Sequence, residues 1–115
     1  MDDPQRELSP ADVPQRLVEL SADARAAVLL DASGEACGAT GAADPDELAD
    51  CARELLRAVD RAAGEPPAEL EAQVSGGSVF AVRAEPWTLV TVARRSALAS
   101  LMLYDMRTLL RGATA

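Results

Sequence analysis

The chain has 115 residues, 49% of them apolar and 26% charged, the balance of one soluble globular domain. A net charge of −8 argues against a nucleic-acid-binding role, which rests on a basic face. No run approaches the roughly 20 apolar residues of a membrane helix, and the acidic start MDDPQREL lacks the basic and apolar regions of a signal peptide.

These features set the expectations of a cytoplasmic protein and of no membrane and no nucleic-acid partner. Aromatics make up 3% of the chain (Phe80, Trp87 and Tyr104), so the core is built from Ala, Val and Leu. Cys37 and Cys51 fall on apolar stretches without metal-ligand spacing and read as buried free thiols. Residues 1–71 hold 17 acids against 6 arginines, and residues 72–115 hold 2 acids against 5 arginines.

In chain order, residues 1–11 read as a flexible tail, 12–112 as a single domain and 113–115 as a second tail. Pro14 breaks any helix already under way, so a short first helix is expected from Asp12 to Ser21, with Val13, Leu17 and Leu20 on one face. Ala26–Leu30 has no polar residue on either face and predicts a central strand covered on both sides. Asp31-Ala32-Ser33-Gly34 is the turn into a second strand, Ala36–Ala39, with Gly34 supplying positive φ.

Asp44-Pro45-Asp46-Glu47 is a helix start: a capping carboxylate, proline at the first position, and acids against the positive end of the dipole. The apolar stripe is Leu48, Cys51, Ala52, Leu55, Val59 and Ala62, and Gly64 followed by Glu65-Pro66-Pro67 ends the helix. Three strand-like runs come next: Glu69–Val74, Val79–Arg83 and Trp87–Val92. They are joined by turns at Ser75–Ser78 and Ala84–Pro86, too short for parallel crossovers.

Glu69–Val74 alternates polar and apolar residues and suits an edge; either Glu69, Glu71 and Gln73 protect that edge, or pairing with the same strand of a second copy makes one continuous sheet. Ser96 is expected to cap a last helix, Ala97 to Arg111, stopped by Gly112. Apolar residues cover more than half of its circumference, enough to leave something for a neighbour. The fold class is therefore α/β of the α+β type: a five-stranded antiparallel sheet with helices on both faces, in the order α-β-β-α-β-β-β-α.

Catalytic chemistry finds no support. There is no histidine, the paired acids Asp2/Asp3 and Asp46/Glu47 serve as a solvated tail and a helix start, and Ser75-Gly76-Gly77-Ser78 joins two strands without a following lysine. No enzyme activity, cofactor or metal is expected. Arg94-Arg95 stands out, because cations ahead of a helix are mildly unfavourable; it reads either as a solvated turn or as a contact to an acidic partner or an anion.

The element order, with AAVLLDASGEACGAT, GGSVFAVR and TLVTVARRSALASLMLYDMRTLL, resembles the roadblock/dynein light chain family over residues 12–111. More particularly it resembles bacterial single-domain members described as regulators of small Ras-like GTPases. The resemblance implies a profilin-like fold and a dimer built from the third strand and the central helix. On this chain that places the interface at Leu48, Cys51, Leu55, Val59, Leu70, Ala72 and Val74.

It also implies a GTPase platform on the first and last helices, for which Arg94, Arg95, Ser100, Tyr104 and Arg107 are the candidate contacts. The first helix is shorter here than in the family, because of Pro10 and Pro14. The resemblance implies a non-catalytic homodimeric regulator or scaffold that binds a small Ras-like GTPase and modulates its nucleotide cycle; a small-molecule sensory module and a structural subunit of a larger complex are the alternatives. The absence of polar residues inside the apolar stripes speaks against the sensor.

Overall fold

A computed structural model describes residues 8–113. A 3-10 turn, Pro10–Asp12, leads into α1 (Val13–Leu20), followed by β1 (Ala24–Leu30), β2 (Ala36–Thr40) and α2 (Pro45–Ala63). Then come β3 (Glu69–Val74), β4 (Gly77–Ala84), β5 (Trp87–Ala93) and α3 (Ala99–Ala113). The strands form one antiparallel sheet in the order β2-β1-β5-β4-β3.

The order places β1 between two neighbours, and five of its seven residues, Ala26 to Leu30, are buried in succession along with Ala24. Its side chains alternate between two cores. Ala27 and Leu29 join Val13 and Leu17 of α1, Phe80, Val82 and Leu89 of the sheet, and Met102, Met106 and Leu110 of α3. Val28 and Leu30 join Ala49, Ala52 and Leu56 of α2 with Val79, Ala81 and Val90. The expected five-stranded sheet with helices on both faces is present.

Local chemistry explains the boundaries. The Asp44 carboxylate accepts from the Asp46 and Glu47 N–H groups at 3.1 and 3.2 Å, Pro45 opens α2, and Gly64 closes it at φ 80°. In the β1–β2 turn, Asp31 Oδ1 accepts from the Ser33 N–H at 2.9 Å, the Ser33 hydroxyl at 2.7 Å and the Glu35 N–H at 3.0 Å. These bonds, the side-chain one foremost, hold its carboxyl below the ordinary value of 3.8.

Gly38 is required by a close approach: a Cβ there would lie 2.4 Å from the Ala11 carbonyl oxygen, because the 3-10 turn crosses β2 at that point.

Several boundaries differ from the sequence reading. The Pro10–Asp12 turn belongs to the region expected as tail, whose residues 1–7 lie outside the described residues. Leu20 is 57% exposed, since α1 ends there and Ser21 is already extended. Ser96 does not cap α3: the Ala97 N–H closes a turn on the Arg94 carbonyl, and the helix begins at Ala99. Nor does Gly112 stop it, because α3 continues through Ala113, whose side chain is buried against the core.

Candidate interaction surface

The side of α2 that meets its own sheet is Ala49, Ala52 and Leu56, not the whole stripe expected from periodicity. At about 100° per residue, Leu48, Cys51, Leu55 and Val59 form the adjoining flank. Leu48, Leu55 and Val59 are half-buried there and Cys51 is exposed, so the expectation of a buried Cys51 fails for that reason. Both thiols are free; Cys37 is half-buried, and burial, then the Asp31 charge, pushes its pKa up.

No residue of β3 is buried. Leu70, Ala72 and Val74 alternate onto the α2 side of the sheet, opposite Ala81, Val79 and Gly77 of β4. Val74 is 38% exposed. All seven residues expected at a dimer interface thus lie on one side of the molecule: an apolar helix flank standing over a strip of sheet. Val79 and Val92 complete this strip.

The open edge has a definite polarity. One step beyond the ladder, the Arg83 N–H donates to the Ala68 carbonyl at 2.7 Å. Antiparallel ladders alternate, so the even-numbered residues of β3 exchange bonds with β4, while Glu69, Glu71 and Gln73 direct their N–H and C=O groups outward. Their side chains lie on the α3 side of the sheet. Arg107 Nη1 meets Glu69 Oε2 at 2.7 Å, and Gln73 donates to Glu71 at 3.1 Å.

On α3, Met102, Met106, Leu110 and Ala113 face inward. Ser100, Leu101 and Tyr104 lie on the outer face, and Leu98 lies just ahead of the helix; Leu98, Leu101 and Tyr104 are 69%, 56% and 56% exposed. The Arg94 guanidinium has no ion pair or hydrogen bond among the described residues. Arg95 Nη2 donates to the Val74 carbonyl at 3.2 Å, at the end of β3. Arg107 lies on the flank of α3, paired with Glu69. The structure therefore brings Ser100 and Tyr104 together and sets Arg95 and Arg107 toward β3.

A separate cleft of about 390 Å³ lies on the opposite flank of α2, over Leu30 and Thr88 and beside the Asp31–Gly34 turn. Arg53 closes one end by donating to the Gly34 carbonyl at 2.7 Å. Asp60, bonded to Arg83 at 2.9 Å, closes the other. Among the described residues, no group of His, Cys, Asp or Glu could hold a metal ion, and no helix is long and apolar enough to cross a membrane.

No family model matches the sequence, and no curated protein does. Solved structures do. A roadblock/LC7 domain from Streptomyces avermitilis is 22% identical, with a TM-score of 0.74 over 90% of this chain and 93% of that one. Myxococcus xanthus MglB is 17% identical, with a TM-score of 0.71 over 89% and 82%. A profilin from Acanthamoeba castellanii is 14% identical, with a TM-score of 0.62 over 90% and 94%. The element order, the sheet and these likenesses agree, and the chain has the profilin-like fold of roadblock/LC7 domains.

Proposed function

We propose that this chain is a non-catalytic homodimeric regulator that binds a small Ras-like GTPase and biases its nucleotide cycle. The observation that carries the reading is the L-shaped apolar surface of Leu48, Leu55, Val59, Leu70, Ala72 and Val74 beside an unpaired strand edge. A second copy of the same surface satisfies both parts: its β3 takes up the outward N–H and C=O groups, and its α2 flank covers the strip of sheet. The roadblock fold and the resemblance to GTPase-regulating members support the choice of partner.

Such a regulator would act by positioning the GTPase's own loops, since phosphoryl transfer depends mainly on positioning and electrostatic stabilisation. The outer face of α3, with Tyr104, Ser100 and the free Arg94, is the proposed contact.

Sedimentation at micromolar concentration tests the dimer. Wild type should run at twice the 12.0 kDa chain mass. Glu71→Pro removes an outward N–H and should give monomer, while Glu71→Ala keeps the N–H and should weaken the dimer far less. A wild-type mass that stays at 12.0 kDa as concentration rises refutes this part. For the partner, a Ras-like GTPase encoded beside this chain should bind in one nucleotide state at least tenfold better than in the other, with Tyr104→Ala weakening binding. Equal or absent binding in both states refutes it.

A further inference from the structure

The charge pattern along β3 fixes how two copies would align, an inference that rests on the proposed dimer. Three alignments use the outward-facing residues in pairs. Centred on Glu71, the two Glu71 side chains stand directly opposite each other, a like-charge arrangement that destabilises a sheet. Centred on Leu70, Glu69 opposes Glu71, with the same defect.

Centred on Ala72, Glu71 opposes Gln73 of the second copy, and the other face matches as well: Leu70 opposes Val74 and Ala72 opposes itself. The amide–carboxylate hydrogen bond between Gln73 and Glu71 within one chain shows the two types compatible at close range.

This alignment gives Arg95 a task. Its guanidinium is held at the Val74 carbonyl at the end of β3, and Glu71 of the second copy would lie across from Gln73, one strand spacing over and one residue back. Within its own chain, Glu71 is three residues back from Val74, about 10 Å along a strand. Glu69 is already paired with Arg107, which leaves Glu71 as the carboxylate of β3 without a cation.

We propose that the dimer is centred on Ala72 and that Arg95 of each copy pairs with Glu71 of the other. Arg95 is then a specificity-determining residue that selects an identical edge.

A charge swap split between two chains tests this. Both side chains are exposed and outside the two cores, so Arg95→Glu and Glu71→Arg should each fold, which circular dichroism verifies. Each variant alone places like charges together twice and should dimerise at least tenfold more weakly than wild type. Mixed in equal amounts, they restore both pairs, and native mass spectrometry should find mostly heterodimer.

A statistical mixture, with heterodimer at about half, overturns the pairing while leaving the dimer intact. A monomeric wild type overturns both. Independently, Ala72→Cys in a background of Cys37→Ala and Cys51→Ser should cross-link on oxidation, because directly opposed non-hydrogen-bonded residues lie within disulfide range. Failure of Ala72→Cys with ready cross-linking of Glu71→Cys would overturn the alignment.

Discussion

Three glycines separate three physical effects, and replacing each by alanine should move stability in a different way. At Gly38 the new Cβ meets the Ala11 carbonyl oxygen at 2.4 Å and its Cα at 3.1 Å, all backbone, so no side chain can swing aside. Ordinary contact needs about 3.5 Å, and the 3-10 turn must retreat by about 1 Å. Overpacking of this kind costs about 1–3 kcal/mol.

At Gly64 nothing lies within 4 Å, but φ is 80°, so the cost is left-handed strain alone, about 1 kcal/mol. Gly112 is helical with nothing within 4 Å, and alanine there should stabilise by about 0.5–1 kcal/mol. Urea titration followed by circular dichroism reads all three, as a midpoint shift at constant slope. Removing residues 1–12 should abolish most of the Gly38→Ala penalty and leave that of Gly64→Ala unchanged. A Gly38→Ala midpoint equal to wild type would refute the seating of the turn on β2.

Two further perturbations address charge. Asp31 has its carboxyl held below 3.8, so its stabilisation is complete above that value and is lost as pH falls through the lower folded-state value. The difference in Tm between wild type and Asp31→Ala should accordingly be constant at neutral pH and shrink below pH 3.8; a difference that persists unchanged to pH 2 contradicts the assignment. For Arg107 and Glu69, both about one-third exposed, a double-mutant cycle to alanine should give a coupling of about 0.2–1 kcal/mol, weakened by salt. A coupling of zero at low salt would mean that the pair does not hold α3 to β3.

Much of the architecture was legible because local chemistry and burial agree. Asp44-Pro45 and Gly64 bracket α2 by capping and left-handed geometry, and neither depends on tertiary context. Ala26–Leu30 is apolar on both faces because both faces are covered. The side of α2 facing the sheet was not legible, since Leu48, Ala49, Ala52, Leu55 and Leu56 are apolar over a wide arc and periodicity cannot choose within it.

What chooses is the seating of the helix on the sheet, which buries Ala49, Ala52 and Leu56 and leaves Leu48 and Leu55 on the flank. The pairing of Arg107 was not legible for a related reason. Its spacing allows an outward position, and only the return of β3 brings Glu69 within reach. The start of α3 shifted because a turn from Arg94 to Ala97 competes with helix for the same backbone groups.

The two borders of the sheet are unequal. β2 is five residues long, carries a register shift against β1 and is crossed by the Pro10–Asp12 turn at Gly38, each a known means of discouraging further strand addition. Among the described residues β3 has neither a register shift nor a turn crossing it. A sheet with one receptive border and one guarded border is self-limiting: once two receptive borders meet across a two-fold axis, what remains on either side is guarded. Growth by strand addition then ends at two copies, without need of any additional cap.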